Sequence, residues 1–450
     1  MSEIIKIKKG LNINLQGKAE KIFVKAKPAE LYGVKPTDFH GLVPKLTVKV
    51  GDRVKAGTPL FYDKYRPEIK FTAPVSGMIQ EINRGERRRI MEVIIKPDEQ
   101  IEYETFKAAD PATLTREEIT ENILQSGIWP AIRQRPYNLI AHPGDVPKAI
   151  FVSAFDTAPL APDYDFMLKD FEKEFQVGID ALLKLTDGKV HLGLDSKYPA
   201  SSTFANAKGV QINKFRGPHP TGNVGTQIHF IDPIDKGDVV WTIAPHNIVT
   251  LGRLFQKGQY DASRIVALTG SEIKSPRYYK TIGGACIRSL CHGNIKEDNV
   301  RYISGNVLTG SRVSPDSFLG YYDAQLTVIP EGDQYEFLGW LAPGFNKFST
   351  SRTFLTWLMP GKEFAINTNL RGGHRALMIT GSFEKVFPMD IYPMQLLKAI
   401  IIEDIDLMEK LGIYEVIEED FALCEFVDTS KNNIQEIVRK GLDLMYKEMN

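Results

Sequence analysis

Apolar and polar positions alternate through most of the first hundred residues, and glycines and prolines divide this stretch into short segments. Such alternation is typical of strands with one buried face. Gly51 and Gly57 supply turn conformations, and Pro59 and Pro74 fix φ where strands begin. The apolar positions are Leu46, Val48 and Val50, then Leu60 and Phe61, then Met78, Ile79 and Ile82, then Met91, Val93 and Ile95. Residues 1–100 are therefore predicted to form a small, flattened β-sandwich.

This sandwich resembles the modules that carry lipoyl or biotinyl groups on a lysine at a hairpin tip. The dipeptide Asp63-Lys64 is the nearest counterpart of the Asp-Lys pair of such carriers. Pro67 follows closely, and because proline interrupts a tight hairpin, the tip is predicted to be longer than a carrier tip. The module is therefore interpreted as a structural barrel-sandwich hybrid domain. A stand-alone carrier or transferase, with modification of Lys64, is the alternative.

The first helix has clear signals at both of its ends. Thr115 and Glu118 form a capping box, and Gly127 follows as a stop. Glycine-rich loops bind phosphates because backbone N–H groups can approach where side chains are absent. The loop after this helix has one glycine and then the bulky Trp129 and Pro130, so it is predicted not to hold a flavin phosphate.

The pattern from residue 101 to 261 alternates between strand and helix. It predicts a buried strand at residues 149–155, a helix at 164–185 and a second strand at 190–194. Strand, helix and strand at this spacing indicate an α/β domain with parallel strands. The glycine- and proline-rich loop at 217–228 is predicted to precede a further strand at 229–232.

The pattern changes after residue 261. Residues 262–330 are predicted to form a small β-rich domain whose strands at 264–270 and 299–305 end at glycines. Residues 331–450 are predicted to be largely helical. The helical segments of this last region are 391–411 and 432–449.

Composition narrows the class of protein. The chain has 450 residues, enough for about three domains, and its 56 Lys plus Arg balance its 56 Asp plus Glu. A chain with this balance has no overall positive electrostatic field that would attract nucleic acid, so no nucleic-acid partner is expected. The first residues lack the apolar core of a signal peptide, and no apolar run approaches the roughly 18 residues of a spanning helix. The chain is therefore expected to be soluble or held on a membrane by partners.

Three cysteines are too few for an iron–sulfur cluster, which normally needs four thiolates. Cys286 and Cys291 lie five residues apart, and even with His292 they lack a fourth ligand at a suitable spacing. Cys424 stands alone. The cysteines are therefore expected to be small core residues in a reducing compartment, and no metal site is predicted.

Two histidines and one basic turn are the remaining candidates for chemistry or contact. His219 and His229 lie in or next to the glycine- and proline-rich loop, and neither has an acidic or nucleophilic neighbour in the sequence. The densest basic cluster, at residues 84–89, is either a solvated turn or a contact for an acidic protein partner or lipid headgroup. The candidate partner or quinone-region contacts are Arg84, Arg87, Arg88, Arg89, His219 and His229. No catalytic residue is assigned.

A set of motifs along nearly the whole chain resembles the NqrA proteins of bacterial sodium-translocating NADH:quinone reductases. The motifs lie at residues 9–13, 50–55, 71–77, 82–85, 149–157, 217–222, 337–344 and 347–354. The resemblance implies an α/β and α+β multidomain fold: a barrel-sandwich hybrid module, a Rossmann-like α/β domain, a β-grasp domain of the SLBB type and a C-terminal helical region.

The resemblance also implies a function. The family belongs to a membrane complex that passes electrons from NADH to quinone and exports Na⁺. This chain is then expected to be a peripheral component of that complex on the cytoplasmic face of the bacterial inner membrane, bound to the membrane subunits. Its own role is expected to be structural, with quinone as a further ligand. NADH, flavins and Fe–S clusters are expected to be used by other subunits.

The family is in turn similar to the RnfC component of Rnf complexes and to the flavin-bearing component of complex I. In those relatives a glycine-rich loop holds flavin and a cysteine set holds a cluster. Here the loop contains Ile128-Trp129-Pro130, and Cys424 alone remains, with Val427 onward where family members tend to have a second cysteine. The chain is thus expected to be a redox-module scaffold without cofactors. A flavin-dependent soluble dehydrogenase, a third alternative, would need the glycine-rich loop that is missing after Gly127.

Overall fold

The computed structural model describes residues 4–199, 202–334, 336–339 and 341–449. Residues 1–3, and Trp340 of the 337–344 motif, lie outside the described residues. The strands are β1 (Ile4–Lys6), β2 (Glu20–Lys25), β3 (Tyr32–Val34), β4 (Pro44–Leu46), β5 (Arg53–Val54), β6 (Pro59–Asp63), β7 (Lys70–Thr72), β8 (Gly77–Arg84), β9 (Ile90–Pro97), β10 (Arg133–Arg135), β11 (Leu139–Ile140), β12 (Ala149–Ser153), β13 (Lys189–Asp195), β14 (Gln211–Arg216), β15 (Val240–Thr242), β16 (Ser263–Thr269), β17 (Arg277–Ile282), β18 (Val300–Ser304), β19 (Ser311–Val313) and β20 (Gln325–Pro330). The helices are α1 (Arg116–Ser126), α2 (Tyr164–Leu168), α3 (Glu172–Leu183), α4 (Val224–Ile231), α5 (Pro245–Lys257), α6 (Ile287–Cys291), α7 (Phe383–Val386), α8 (Pro393–Ile401), α9 (Ile405–Lys410), α10 (Ala422–Val427) and α11 (Ile434–Met449).

The predicted sandwich is confirmed. One sheet has the order β3-β9-β8-β5 and the other β4-β6-β7, and the inward positions Leu60, Ile79 and Val93 are fully buried between them. β6 ends at Asp63 and β7 begins at Lys70, so residues 64–69 form the tip between them. This tip is long, as Pro67 predicts.

The first two strands pair outside this sandwich. β1 runs parallel to β14 of the α/β sheet, and β2 runs parallel to β17 of the third domain. The amino-terminal segment therefore joins two other sheets before the chain enters the sandwich.

The α/β domain contains a sheet with the order β1-β14-β13-β12-β15-β10-β11. β12, β13, β14 and β15 are mutually parallel, which confirms the α/β prediction and the strands at 149–155 and 190–194. The capped helix is confirmed as α1, with the Thr115–Glu118 capping box and Gly127 in the left-handed conformation.

Two predicted details of this domain are wrong. The helix expected at 164–185 is two helices, α2 and α3, separated at residues 169–171. The strand expected at 229–232 is instead the end of α4, which spans Val224–Ile231. A short apolar run cannot by itself distinguish a strand from a buried helix segment, and here Ile228 packs as part of a helix.

The third domain is a sheet with the order β19-β18-β20-β16-β17-β2, which confirms the predicted strands at 264–270 and 299–305. Its mixed pairing, with β16 parallel to β20 and antiparallel to β17, suits a β-grasp arrangement.

The C-terminal region packs its helices against the α/β sheet. Phe151 of β12 and Val240 of β15 share a core cluster with Phe421, Cys424 and other side chains of α7 to α11. The helix expected at 391–411 is two helices, α8 and α9, because the chain turns at Glu403, which has φ +56°. The helix expected at 432–449 is confirmed as α11. Among the described residues, no helix is both long and apolar enough to span a bilayer.

Candidate functional site

The arginine turn connects β8 to β9 and lies in solvent. Arg84 ends β8, and Arg87 and Arg88 have positive φ values of 52° and 61°. Arg84, Arg87, Arg88 and Arg89 are all exposed, and among the described residues none of them has a carboxylate within ion-pair distance. These four exposed cations are therefore available to a partner.

His219 is a buried structural contact. Its ring nitrogen Nδ1 lies 3.1 Å from Thr157 Oγ1, and its backbone N–H donates to Asn12 Oδ1 at 3.0 Å. Burial lowers its pKa to about 4, so the imidazole is neutral at physiological pH. His219 therefore holds the 217–223 loop against the residues that follow β12 and against the amino-terminal segment.

His229 has an acidic partner that the local sequence does not indicate. Its Nδ1 lies 2.7 Å from Glu415 in the C-terminal region, and the backbone N–H of Asp390 donates to its Nε2 at 3.0 Å. Since Nε2 accepts, Nδ1 carries the proton and donates to Glu415. Both nitrogens are used, so His229 attaches α4 to the C-terminal region and is not a free base.

The order of the parallel strands identifies a crevice. The first three parallel strands of this domain, β12, β13 and β14, follow one another across the sheet in one direction. The fourth, β15, lies on the other side of β12, so the direction of winding reverses between β12 and β15. In open α/β sheets, ligands bind outside the carboxyl ends of strands at this switch point. The segments that follow these two ends contain Asp156 and His246.

Three side chains from distant segments meet near this crevice. Asp156, Tyr164 and Glu419 are each partly accessible, and they lie close enough for the charges of Asp156 and Glu419 to act on Tyr164 and on each other. Burial, together with the carboxylates of Asp156 and Glu419, raises the pKa of Tyr164. The phenol therefore stays neutral and keeps its O–H as a donor.

Glu419 is a group beside this crevice that titrates near neutrality. Burial, and then the neighbouring Asp420, raise its pKa to about 7, against the opposing charges of Arg135 and Arg133. Arg133 also lies over the ring of Tyr322 at 4.9 Å. A carboxyl group with this pKa can exchange a proton or donate a hydrogen bond at physiological pH.

Asp420 beside it is part of a buried ion pair. Its Oδ2 lies 3.2 Å from Arg135 Nη1, with both side chains at most 2% exposed, and it also accepts from the Ile417 N–H at 2.9 Å. This pair attaches the segment that contains Glu419 to strand β10.

His246 at the start of α5 is a site residue that the sequence patterns do not single out. It is buried, it stacks on Tyr164 with 6.5 Å between ring centroids, and neither ring nitrogen has a protein hydrogen-bond partner among the described residues. Burial, and then the charge of Arg264, lower its pKa to about 3. The signal that could have found it is a histidine at the start of a helix that directly follows a buried parallel strand.

The loop after α1 is filled by its own side chains. Ile128, Trp129, Pro130, Ala131 and Ile132 are all buried. The indole N–H of Trp129 donates to the Ala141 carbonyl at 2.8 Å. The adjacent cavity, which reaches Gly127, measures about 30 Å³, room for no more than a few water molecules. This space does not suit a flavin, and the lack of bound flavin remains a prediction.

The three cysteines are buried and belong to different parts of the core. Burial, and then Cys286, raise the pKa of Cys291 to about 12, and burial raises that of Cys424 well above its usual value. Within the described ranges, no group of histidine, cysteine and acidic side chains is arranged to hold a metal ion. Their surroundings suit core packing rather than thiolate chemistry.

Three family models match the chain. They are the NqrA N-terminal barrel-sandwich hybrid domain at residues 5–98, the NqrA second alpha/beta domain at 114–260 and the NQRA C-terminal domain at 265–314. Among solved structures, NAD⁺-reducing NiFe-hydrogenase in the H₂-reduced state aligns over 49% of this chain and 48% of that chain, at 12% identity and a TM-score of 0.37. That likeness is too distant to support an argument.

Curated relatives match along almost the whole length. The NqrA component of the Na(+)-translocating NADH-quinone reductase of Rhodopirellula baltica is 39% identical over 99% of this chain and 98% of its own. Those of Hahella chejuensis and Neisseria meningitidis serogroup B are 38% and 39% identical over 99% of this chain and 100% of theirs. The chain therefore belongs to the NqrA family of the Na(+)-translocating NADH-quinone reductases.

Proposed function

We propose that this chain is the peripheral NqrA component of a Na⁺-translocating NADH-quinone reductase, bound at the cytoplasmic face of the inner membrane by the membrane subunits. The match to proteins of that family over 99% of the chain carries the proposal. Its own role is structural, and flavins, Fe–S clusters and NADH belong to other subunits. The filled loop after α1 and the dispersed, buried cysteines support this role.

The test is purification of the complex with and without this chain. We expect the chain to co-purify with the membrane subunits and quinone reduction by the complex to fall when it is left out. We also expect no flavin absorbance in the separately purified chain after desalting. Failure to co-purify would overturn the assignment to the complex, whereas a flavin band at unit stoichiometry would overturn only the structural role.

We further propose that the crevice at the switch point, beside Asp156, Tyr164 and Glu419, receives a quinone headgroup. A quinone presents two carbonyl oxygens, which need hydrogen-bond donors. The neutral phenol of Tyr164 is such a donor, and the carboxyl group of Glu419 is one while it is protonated. Arg133, whose charge acts on Glu419, adds a cation, and it lies over the ring of Tyr322 at 4.9 Å.

The pH dependence of quinone binding tests the proposal that the crevice receives the headgroup. Glu419 is protonated below its pKa of about 7, so affinity for a short-chain ubiquinone should be highest below pH 7. It should then fall by up to about tenfold per pH unit above it. Glu419→Gln keeps an N–H donor at every pH and should bind without this dependence. Glu436→Gln, the same change at an exposed position of α11, should behave as the wild type. Equal pH profiles for Glu419→Gln and the wild type would contradict the proposal.

A further inference from the structure

The segment 337–379 differs from the rest of the surface in its exposed apolar side chains. Phe337 is 93% exposed, Leu358 59% and Ile379 65%. Further exposed apolar residues of the segment are Leu338, Leu341, Phe345, Leu355, Trp357, Met359, Leu370 and Met378. Scattered apolar residues are ordinary on a surface, but a concentration of this kind marks an interaction site.

The inner side of the segment is fixed to the protein. Phe364 is buried, and its backbone N–H donates to the Asn14 carbonyl at 2.9 Å. The ring of Phe348 packs between Phe364 and Phe426, and the N–H of Arg375 donates to the Ser430 carbonyl at 2.9 Å. The outward side chains are thus presented by a segment that is attached to the protein at Phe348, Phe364 and Arg375.

The charges of the segment are almost all positive. Its basic residues are Lys347, Arg352, Lys362, Arg371 and Arg375, and its single acidic residue is Glu363, in a chain with zero net charge. Lys347 pairs with Glu336, and Arg352 lies over the Trp357 ring at 4.9 Å. The exposed Arg371 and Arg375 have no carboxylate within ion-pair distance among the described residues.

We propose that this segment binds the surface of a bilayer that contains anionic phospholipid, with its apolar side chains among the headgroups and its arginines on the phosphates. Exposed tryptophan, leucine and methionine beside unpaired arginine is the composition of interfacial membrane contacts. Each arginine near an anionic surface contributes to binding, and the apolar side chains leave water. This inference goes beyond the proposed function, because it assigns a direct lipid contact that does not require the membrane subunits.

Vesicle partitioning of the full chain tests the proposal. We expect binding to vesicles that mix phosphatidylglycerol with phosphatidylcholine, and much weaker binding to phosphatidylcholine alone. Arg371→Gln with Arg375→Gln should lower the partition coefficient roughly tenfold or more. Trp357→Ser with Leu358→Ser should lower it about tenfold. Brominated lipid should quench the fluorescence of the wild type more than that of Trp357→Phe.

The control variants remove exposed arginines or an exposed apolar side chain outside the segment 337–379. Arg87→Gln with Arg88→Gln removes two exposed cations from the arginine turn, and Ile402→Ser removes an apolar side chain that is 67% exposed. Neither should change partitioning by more than about twofold. Equal loss in these controls would overturn the proposal.

Binding only to membranes that contain the membrane subunits would also overturn it, because the segment would then be a protein interface. Co-purification with the membrane subunits is measured separately. Failure of the lipid contact and failure of the proposed function therefore give different results.

Discussion

Replacing Asp420 by alanine is expected to lower the free energy of unfolding by about 3–5 kcal/mol. The change leaves the guanidinium group of Arg135 buried without its counter-charge, and it removes the acceptor of the Ile417 N–H. Both losses are large because water cannot reach the site to replace the carboxylate. Urea unfolding, followed by circular dichroism, measures the effect.

Asp443→Ala provides the matched control. Asp443 pairs with Arg439 at 2.9 Å, but its side chain is 47% exposed, and such pairs contribute less than about 1 kcal/mol. Arg135→Met combined with Asp420→Met should cost less than Asp420→Ala alone, since no unpaired charge remains buried. If Asp420→Ala were no more destabilising than the control, the pair would not hold the C-terminal region to β10.

Replacing Trp129 by alanine is expected to cost about 3–5 kcal/mol of unfolding free energy. The indole is fully buried, donates to the Ala141 carbonyl at 2.8 Å, and meets Trp241 edge-on with 5.5 Å between ring centroids. Alanine leaves a cavity in the loop after α1 and removes the indole donor of the Ala141 carbonyl. The shift of the thermal unfolding midpoint measures the loss.

The control for this prediction is Trp357→Ala, which removes a half-exposed indole and should change stability by about 0.5 kcal/mol or less. Trp129→Phe should fall between the two, because it retains most of the apolar contact while losing the N–H donor. A stable Trp129→Ala variant would mean that the loop can be emptied without cost, contrary to its packing.

Local signals in the sequence are sufficient for the elements with strong patterns. The alternation in the sandwich and the capping box of α1 are short-range features that the backbone must satisfy, and both are confirmed. Breaks without glycine or proline are not predictable in this way. The turn at Glu403 uses a positive φ that nothing nearby in the sequence requires, and the break between α2 and α3 lies at Lys169, Asp170 and Phe171.

The candidate site is less accessible from sequence because it is assembled from distant segments. His229 is a predicted candidate, but its partner Glu415 comes from another region of the chain. Asp156 could have been found, since it follows a buried parallel strand, whereas the raised pKa of Glu419 depends on its burial in the folded protein and on the neighbouring Asp420. The strand order, together with the packing of the C-terminal region on the sheet, brings these groups to one crevice.

The pairing of the amino-terminal strands has a consequence for how the protein can be divided. Without β1 and β2, strands β14 and β17 would lose these partners and become exposed edge strands. Exposed edge strands promote aggregation. Residues 4–25 precede the sandwich in the sequence, but they pair with strands of the two domains that follow the sandwich. A fragment cut at residue 100 would lack the strands that close both of those sheets.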